Sequence, residues 1–464
     1  MRLPVKKAIG GSARGAGRVR RGPGGPGTWV RDTRGTIFIP LLIWFMIFYL
    51  VTPSFDESGA DFQANVTGRL IKVAALVTAT IIVLIRRRLS WHVIAETNPF
   101  FLLFLLLVPT SVLWSIDSGA TIGRYLSVLT MVQLCLAFVV MGWHARRFQN
   151  VLRPLFTCFI VLSLVYGLVF PDRAIEHGEG TLKDAWRGLT YQKNEFGMLG
   201  SLTLVLWLHA WLTGEVRRGL ATVGCAIAAA AMLLSRSSTS LLSTVLASIF
   251  MLLLLRPPRN LRRYAPLFVG TFASIVVVYA VAVLDIVPGL SILLQPFAAL
   301  SGKDLTFSNR SLIWSIVKEH IVLSPYVGSG YGAYWVGPFP TSPSYVFLKR
   351  MYFYPSEAHN GYLEIFNDLG MLGLACLLGY LVFYVRQSLQ LMKIDRTQGV
   401  LFLSFFFQQA ITNLSESCWL AVNNVLPFFV MTLATITLAR SSLDHRLRRQ
   451  SANRANPAGL PLPP

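Results

Sequence analysis

Long apolar runs alternate with short polar breaks along the chain, and that alternation predicts helices that cross a bilayer. About twelve runs qualify: roughly 36–52, 70–85, 99–114, 126–142, 152–170, 195–212, 219–234, 240–255, 266–286, 361–385, 399–412 and 420–439. Crossing ~30 Å of hydrocarbon takes about 20 helical residues, so several runs sit at the short end of the range. A helix is the expected form because it satisfies its own backbone hydrogen bonds where water is absent. The fold class expected is therefore all-α, a polytopic membrane protein. Two breaks are long, 171–194 and 287–360. Within the second, Asn309 to Leu323 has helical spacing, with Leu312, Ile313, Ile316, Val317 and His320 on one stripe. GSGYGAYW follows as a glycine-punctuated turn.

Charge fixes the expected orientation. The 464 residues are 54% hydrophobic and only 14% charged, where a soluble chain is about a quarter charged. A net charge of +21 would suggest nucleic acid in a soluble protein. Here Lys and Arg crowd residues 1–35, Arg86–Arg88, Arg146–Arg147, Arg217–Arg218, the stretch 256–264, the loop 386–398 and the residues after 440. With twelve crossings all of these fall on one side, and short loops opposite are acidic or neutral, as at Asp56, Glu57 and Asp61. Both termini are thus expected in the cytoplasm, and no nucleic-acid partner is expected. Residues 1–35 read as a disordered basic tail, 36–439 as the membrane domain with a non-cytoplasmic loop at 287–360, and 440–464 as a cytoplasmic tail. The first run lacks a small-residue cleavage site and reads as an uncleaved span. The five cysteines lie in or near apolar runs without a CxxC pair, which makes them packing residues.

Chemistry-bearing motifs collect on the non-cytoplasmic side. Ser235 to Ser240 (SRSSTS) can cap the following helix and leaves Arg236 at the surface, as a snorkelling arginine or a site cation. Arg187 and Lys193, with Asn194, put positive charge where the topology disfavours it; a solvated loop is the plain alternative. Ser308 is an expected N-cap, with Arg310 behind it. A cation at a helix start opposes the macrodipole unless an anion binds there, and a helix N-terminus with an Arg fork suits a diphosphate. Glu357 to Glu364 (EAHNGYLE) opens the next span. If its helix begins near Ala358, Asn360 and Glu364 share a face while His359 and Glu364 do not. A histidine at a helix mouth can act as general base near neutral pH, or can be an interface residue. No DxD, HExxH, P-loop or GxGxxG pattern is present, so no metal and no cofactor is expected.

Five motifs in this order, QKNEFG (192–197), LSRSSTSLL (234–242), SNRSLIW (308–314), VGSGYGAYW (327–335) and EAHNGYLEIFNDLGMLG (357–373), resemble the O-antigen ligase and Wzy-type polymerase superfamily, particularly its exopolysaccharide polymerase branch. The resemblance covers roughly residues 190–375. It implies a C-type glycosyltransferase (GT-C) fold in the bacterial inner membrane, with the active site on the periplasmic face. It also implies a donor glycan on undecaprenyl diphosphate. The family's diphosphate-gripping arginines map onto Arg310 and Arg236, with Arg187 or Lys193 as a further candidate, and its loop histidine maps onto His359.

The chemistry that this implies is metal-independent inverting transfer. Cations stabilise the leaving diphosphate, while His359, or else Glu364, takes the acceptor's proton. Asn194, Asn360 and Ser308 support the site. The expected function is polymerisation of lipid-linked repeat units into exopolysaccharide. Membrane lipid, a chain-length regulator and export proteins are the candidate partners. An O-antigen ligase moving glycan to lipid A core is the sister reading, and a lipid-linked saccharide transporter is the reading from another class. Span interiors nearly free of charge argue against transport.

Overall fold

The computed structural model describes residues 66–177, 183–256, 310–421 and 424–455, together with isolated positions near 39–43 and 264–274. Apart from those isolated positions, the expected spans 36–52 and 266–286 lie outside this set, as do the N-terminal tail and Ser308. Each of the other ten expected spans falls on a helix. These are α1 (Val66–Ile85), α3 (Pro99–Thr110), α4 (Ser118–Met141), α5 (Arg147–Val169), α6 (Lys193–Thr213), α7 (Arg218–Leu234), α8 (Ser238–Leu255), α11 (Gly361–Ile394), α12 (Arg396–Thr412) and α13 (Val425–Ala455). The shorter α2 (Arg87–Glu96), α9 (Arg310–Ile321) and α10 (Tyr345–Met351) complete the numbering in chain order, and single turns at Ser111–Leu113 and Pro171–Ala174 are also helical. Among the described residues six helices are long and apolar enough to cross a membrane, or seven if the pair α2–α3, bent by 105°, is one span. The chain is thus a largely helical, multi-pass membrane protein, with fewer full-length spans here than the twelve expected.

Local sequence sets the helix ends. Asn98 accepts from the Phe100 and Phe101 amides at 3.1 and 3.4 Å, ahead of Pro99 at the first helical position of α3. Its amide also donates to the Tyr380 carbonyl (2.9 Å), tying α3 to α11. Asp117 caps α4 through the Ala120 amide (2.9 Å), and Ser237 caps α8 through the Ser240 amide (3.4 Å). Helix α13 is buried from Val425 to Arg440 and runs on to Ala455, past residue 440 where a tail was expected, with Arg446 and Arg448 exposed. It starts only at Val425. Cys418 and Trp419, which look apolar enough to open the span, instead donate their amides to Asn413 Oδ1 in a folded linker.

Polar side chains join helices inside the bundle. Ser201 of α6 bonds Thr244 of α8 and accepts from Gln408 of α12. Tyr380 bonds Thr435 across α11 and α13 at 3.0 Å. Where lipid supplies no hydrophobic drive between helices, such bonds and close packing hold them. One end of the bundle carries an ion network: Arg153–Glu215 (2.8 Å), Arg146–Glu215 (3.3 Å) and Arg146–Asp395 (3.1 Å). The loops that the sequence puts on the opposite side meet at the other end.

At that other end α9 is fastened to the head of α11 by a small core of its own. Ile313, Trp314, Ile316, Val317 and Ile321 pack with Tyr334, Trp335, Phe347, Ala358 and Leu363. Leu312, expected on the buried stripe, is 44% exposed, and Trp314 takes its place. The Trp314 indole donates to the Ala358 carbonyl (2.9 Å), which rotates the helix toward the larger side chain. In α11 Gly370 breaks the helical path with φ +61° and ψ −157°. A Cβ there would lie 2.3 Å from the Tyr326 backbone. The freed amides of Met371 and Leu372 donate to the carbonyls of Pro325 and Tyr326 at 2.9 and 3.2 Å, so the glycine-rich turn docks directly on the break.

Candidate active site

The site is centred on Glu416, in the linker 413–424 between α12 and α13. Its side chain is only 3% exposed. Oε1 accepts from Arg310 Nη2 at 2.8 Å and from Asn194 Nδ2 at 3.0 Å. Oε2 lies 3.2 Å from His359 Nδ1, and the same nitrogen is 3.1 Å from Glu357 Oε1. Glu357 in turn accepts at Oε2 from Asn424 Nδ2 (2.7 Å). Two carboxylates therefore face two cations, contributed by the loop before α11, the linker before α13 and the start of α9.

Each member is held by its surroundings. Asn360 caps α11 by accepting from the Tyr362 and Leu363 amides at 3.1 and 3.0 Å. The helix accordingly starts at Gly361 and not near Ala358. Gly361 lies against the linker, its amide donating to the Asn413 carbonyl (2.9 Å), and a Cβ would fall 1.9 Å from Asn413 Oδ1. His359 is left outside the helix at φ +50°, a conformation that L-residues seldom adopt and that tertiary contacts must hold. The linker is pinned on both sides of Glu416. Ser415 bonds Thr239 (2.8 Å), and Ser417 accepts from the Asn360 amide (3.2 Å) and donates to Glu364 Oε2 (3.3 Å).

Electrostatics follow from this packing. Burial works against charge on His359, but the hydrogen bonds and charges of Glu357 and Glu416 outweigh it and push the imidazole up to about 10. Burial likewise raises Glu416, yet His359 and Arg310 hold its carboxyl below the usual range. At neutral pH the two carboxylates hold the imidazole as a cation. A general base near neutrality, the role that the sequence suggests, requires the neutral ring. As found, His359 is a hydrogen-bond donor.

The other expected site residues divide into two groups. Arg310, His359 and Asn194 meet at Glu416, and Asn360 positions the loop that carries His359. Glu364 is buried, accepting from the Ala358 amide at 2.7 Å as well as from Ser417, and so closes the loop from below. Lys193 is buried at the first turn of α6, and its backbone amide donates to Glu176 Oε1 (2.9 Å). Arg187 bonds its own loop, at the carbonyls of Arg173 (2.9 Å) and Tyr191 (3.4 Å). Arg236, exposed at φ +51°, donates to the Lys183 carbonyl (2.8 Å). Arg187 and Arg236 have none of their hydrogen bonds within the Glu416 cluster.

Sequence reasoning missed Glu416, Glu357 and Asn424 as site residues. The available signal was NLSESCW, a polar acidic break between two apolar runs, on the side where the motifs gather. Glu357, His359 and Glu416 also place three possible metal donors within 4.8 Å of one another. Arg310 already shares the Glu416 carboxylate, and the proton on His359 neutralises the same pair of oxygens that a cation would.

Residues 223–378 match the family model described as O-Antigen ligase. That interval contains Arg236, Arg310, Glu357, His359 and Glu364 and stops short of Glu416. The chain is also 29% identical over 319 residues to the exopolysaccharide production protein ExoQ of Rhizobium meliloti strain 1021, covering 64% of this chain and 67% of that protein. Together the matches support the O-antigen ligase and Wzy-type family, on its ExoQ-like side, for this chain.

Proposed function

We propose that this protein polymerises undecaprenyl-diphosphate-linked oligosaccharide repeat units into exopolysaccharide at the periplasmic face of the bacterial inner membrane, with both termini cytoplasmic. The transfer is inverting and metal-independent, on a GT-C architecture. One observation carries the reading: at the bundle end away from the ion network, Arg310 and a cationic His359 stand together over a buried carboxylate. A sugar on a lipid diphosphate is already activated, so the site's main task is to stabilise charge on the departing diphosphate. Preorganised cationic donors in a water-poor site do this without a metal or nucleotide. His359 enters the reaction charged and donates to that leaving group. It can accept the acceptor's proton only after giving up its own. Exposed aromatic residues around the loop, such as Tyr352 and Phe353, offer faces on which sugars can stack.

The O-antigen ligase match favours one alternative, transfer of the lipid-linked glycan to lipid A core or another acceptor. The two separate on the acceptor. Purified protein in nanodiscs is incubated with lipid-diphosphate oligosaccharide, with and without lipid A core, and the products are sized. A ladder from the lipid-linked substrate alone supports the polymerase, whereas product that requires lipid A core supports the ligase. No transfer in either arm sinks both readings. Loss of activity in chelator that a divalent ion restores would replace the metal-free mechanism.

A further inference from the structure

We propose that Glu416 is a positioning residue for glycosyl transfer, holding Arg310 and His359 from the protein side so that their remaining nitrogens converge on one substrate anion. The inference rests on the lipid-diphosphate reading above and adds a residue beyond the matched family interval. Glu416 engages only Nη2 of Arg310 and only Nδ1 of His359. Among the described residues Arg310 Nε and Nη1 and His359 Nε2 have no hydrogen-bond partner, and the two side chains are 17% and 19% exposed against 3% for Glu416. The carboxylate thus lies behind both cations, and substrate reaches the cations first. Asn194 adds a third bond to Glu416, and Ser415 and Ser417 fix the linker at either side. This anchoring makes Glu416 a rigid support instead of a mobile counter-ion.

The charged groups around His359 come from several elements. Glu357 is in its own loop, Glu416 in the linker and Arg310 on α9, while the buried carboxyls of Glu364 on α11 and Glu195 on α6 are both pushed up to about 8, chiefly by burial, and so are largely uncharged near neutral pH. Among the described residues only Glu357 and Glu416 bond to the imidazole. With Gln at 416 a single carboxylate remains to retain its proton.

The test uses full-length protein in nanodiscs and the lipid-diphosphate oligosaccharide as donor. For Glu416→Gln we expect kcat lower by about 100-fold or more, the scale of one lost preorganised donor, and the alkaline limb of the kcat/KM profile moved to lower pH. Glu416→Asp should restore that limb toward the wild-type position. An unchanged pH profile in Glu416→Gln overturns the proposal, as does equal loss in both variants with no shift. The 15N histidine spectrum of the wild-type protein gives a second reading that needs no variant. His359 should remain protonated at pH 8, and titration in the ordinary imidazole range would refute the clamp. If wild-type protein transfers nothing from the donor, the functional reading fails instead, and the histidine titration still reports on the clamp.

Discussion

Replacing Arg310 separates its two tasks, pairing with Glu416 and holding substrate. Arg310→Ala strands a carboxylate that is 3% exposed. Removing one partner of a buried pair costs about 3–5 kcal/mol. Asn194 and His359 still hold Glu416, so a loss near 3 kcal/mol is expected. Arg310→Lys keeps a positive charge within reach of the 2.8 Å contact, and stability should stay within about 1 kcal/mol of wild type. The ammonium is a point charge, however, and cannot bond Glu416 and present a second planar nitrogen to the diphosphate. Losing one charge-assisted donor in the transition state is worth about 2.7–4 kcal/mol, or roughly 100- to 1,000-fold in kcat. The assay pairs initial rates of chain extension with thermal unfolding in the same detergent. Arg310→Lys should keep the Tm and lose the rate, and Arg310→Ala should lose both. Turnover of Arg310→Lys within about threefold of wild type would remove Arg310 from the transition state. An equal Tm loss in the two variants would make it a structural residue only.

Three further predictions concern the same end of the molecule. Because the folded state raises the His359 pKa to about 10, its ion pair contributes fully below the ordinary imidazole range near 6.5, and that contribution should fall as pH rises from there through about 10; a Tm flat across that alkaline window would contradict the pairing. Gly361→Ala should destabilise by about 1–3 kcal/mol and impair transfer, since its Cβ would meet Asn413 Oδ1 at 1.9 Å and push the linker that carries Glu416; a wild-type Tm and rate would show that the linker yields freely. Reporter fusions at residue 340 should read as periplasmic, and a cytoplasmic signal there would invert the proposed topology.

The sequence by itself determined the helical class, because its apolar runs are continuous where a membrane barrel's shorter strands alternate, and a continuous apolar run satisfies its backbone in lipid as a helix. It also determined which loops would share a side, since charge bias and the alternation of crossings are local, one-dimensional properties. It pointed to Arg310, whose charge opposes its own helix dipole, to His359 at a helix mouth, and to Asn194 as a supporting residue. Only the tertiary structure decided that the three converge on Glu416, a residue that reads as an ordinary polar break. Only the fold shows that Arg187 and Arg236 spend their hydrogen bonds on loop backbone, and that two carboxylates turn His359 from a candidate base into a cation. The physical reason is the same in each case. Protonation and the direction of a guanidinium depend on through-space contacts, and Glu416 lies 57 residues from His359 and 106 from Arg310 along the chain, a distance of which periodicity carries no record.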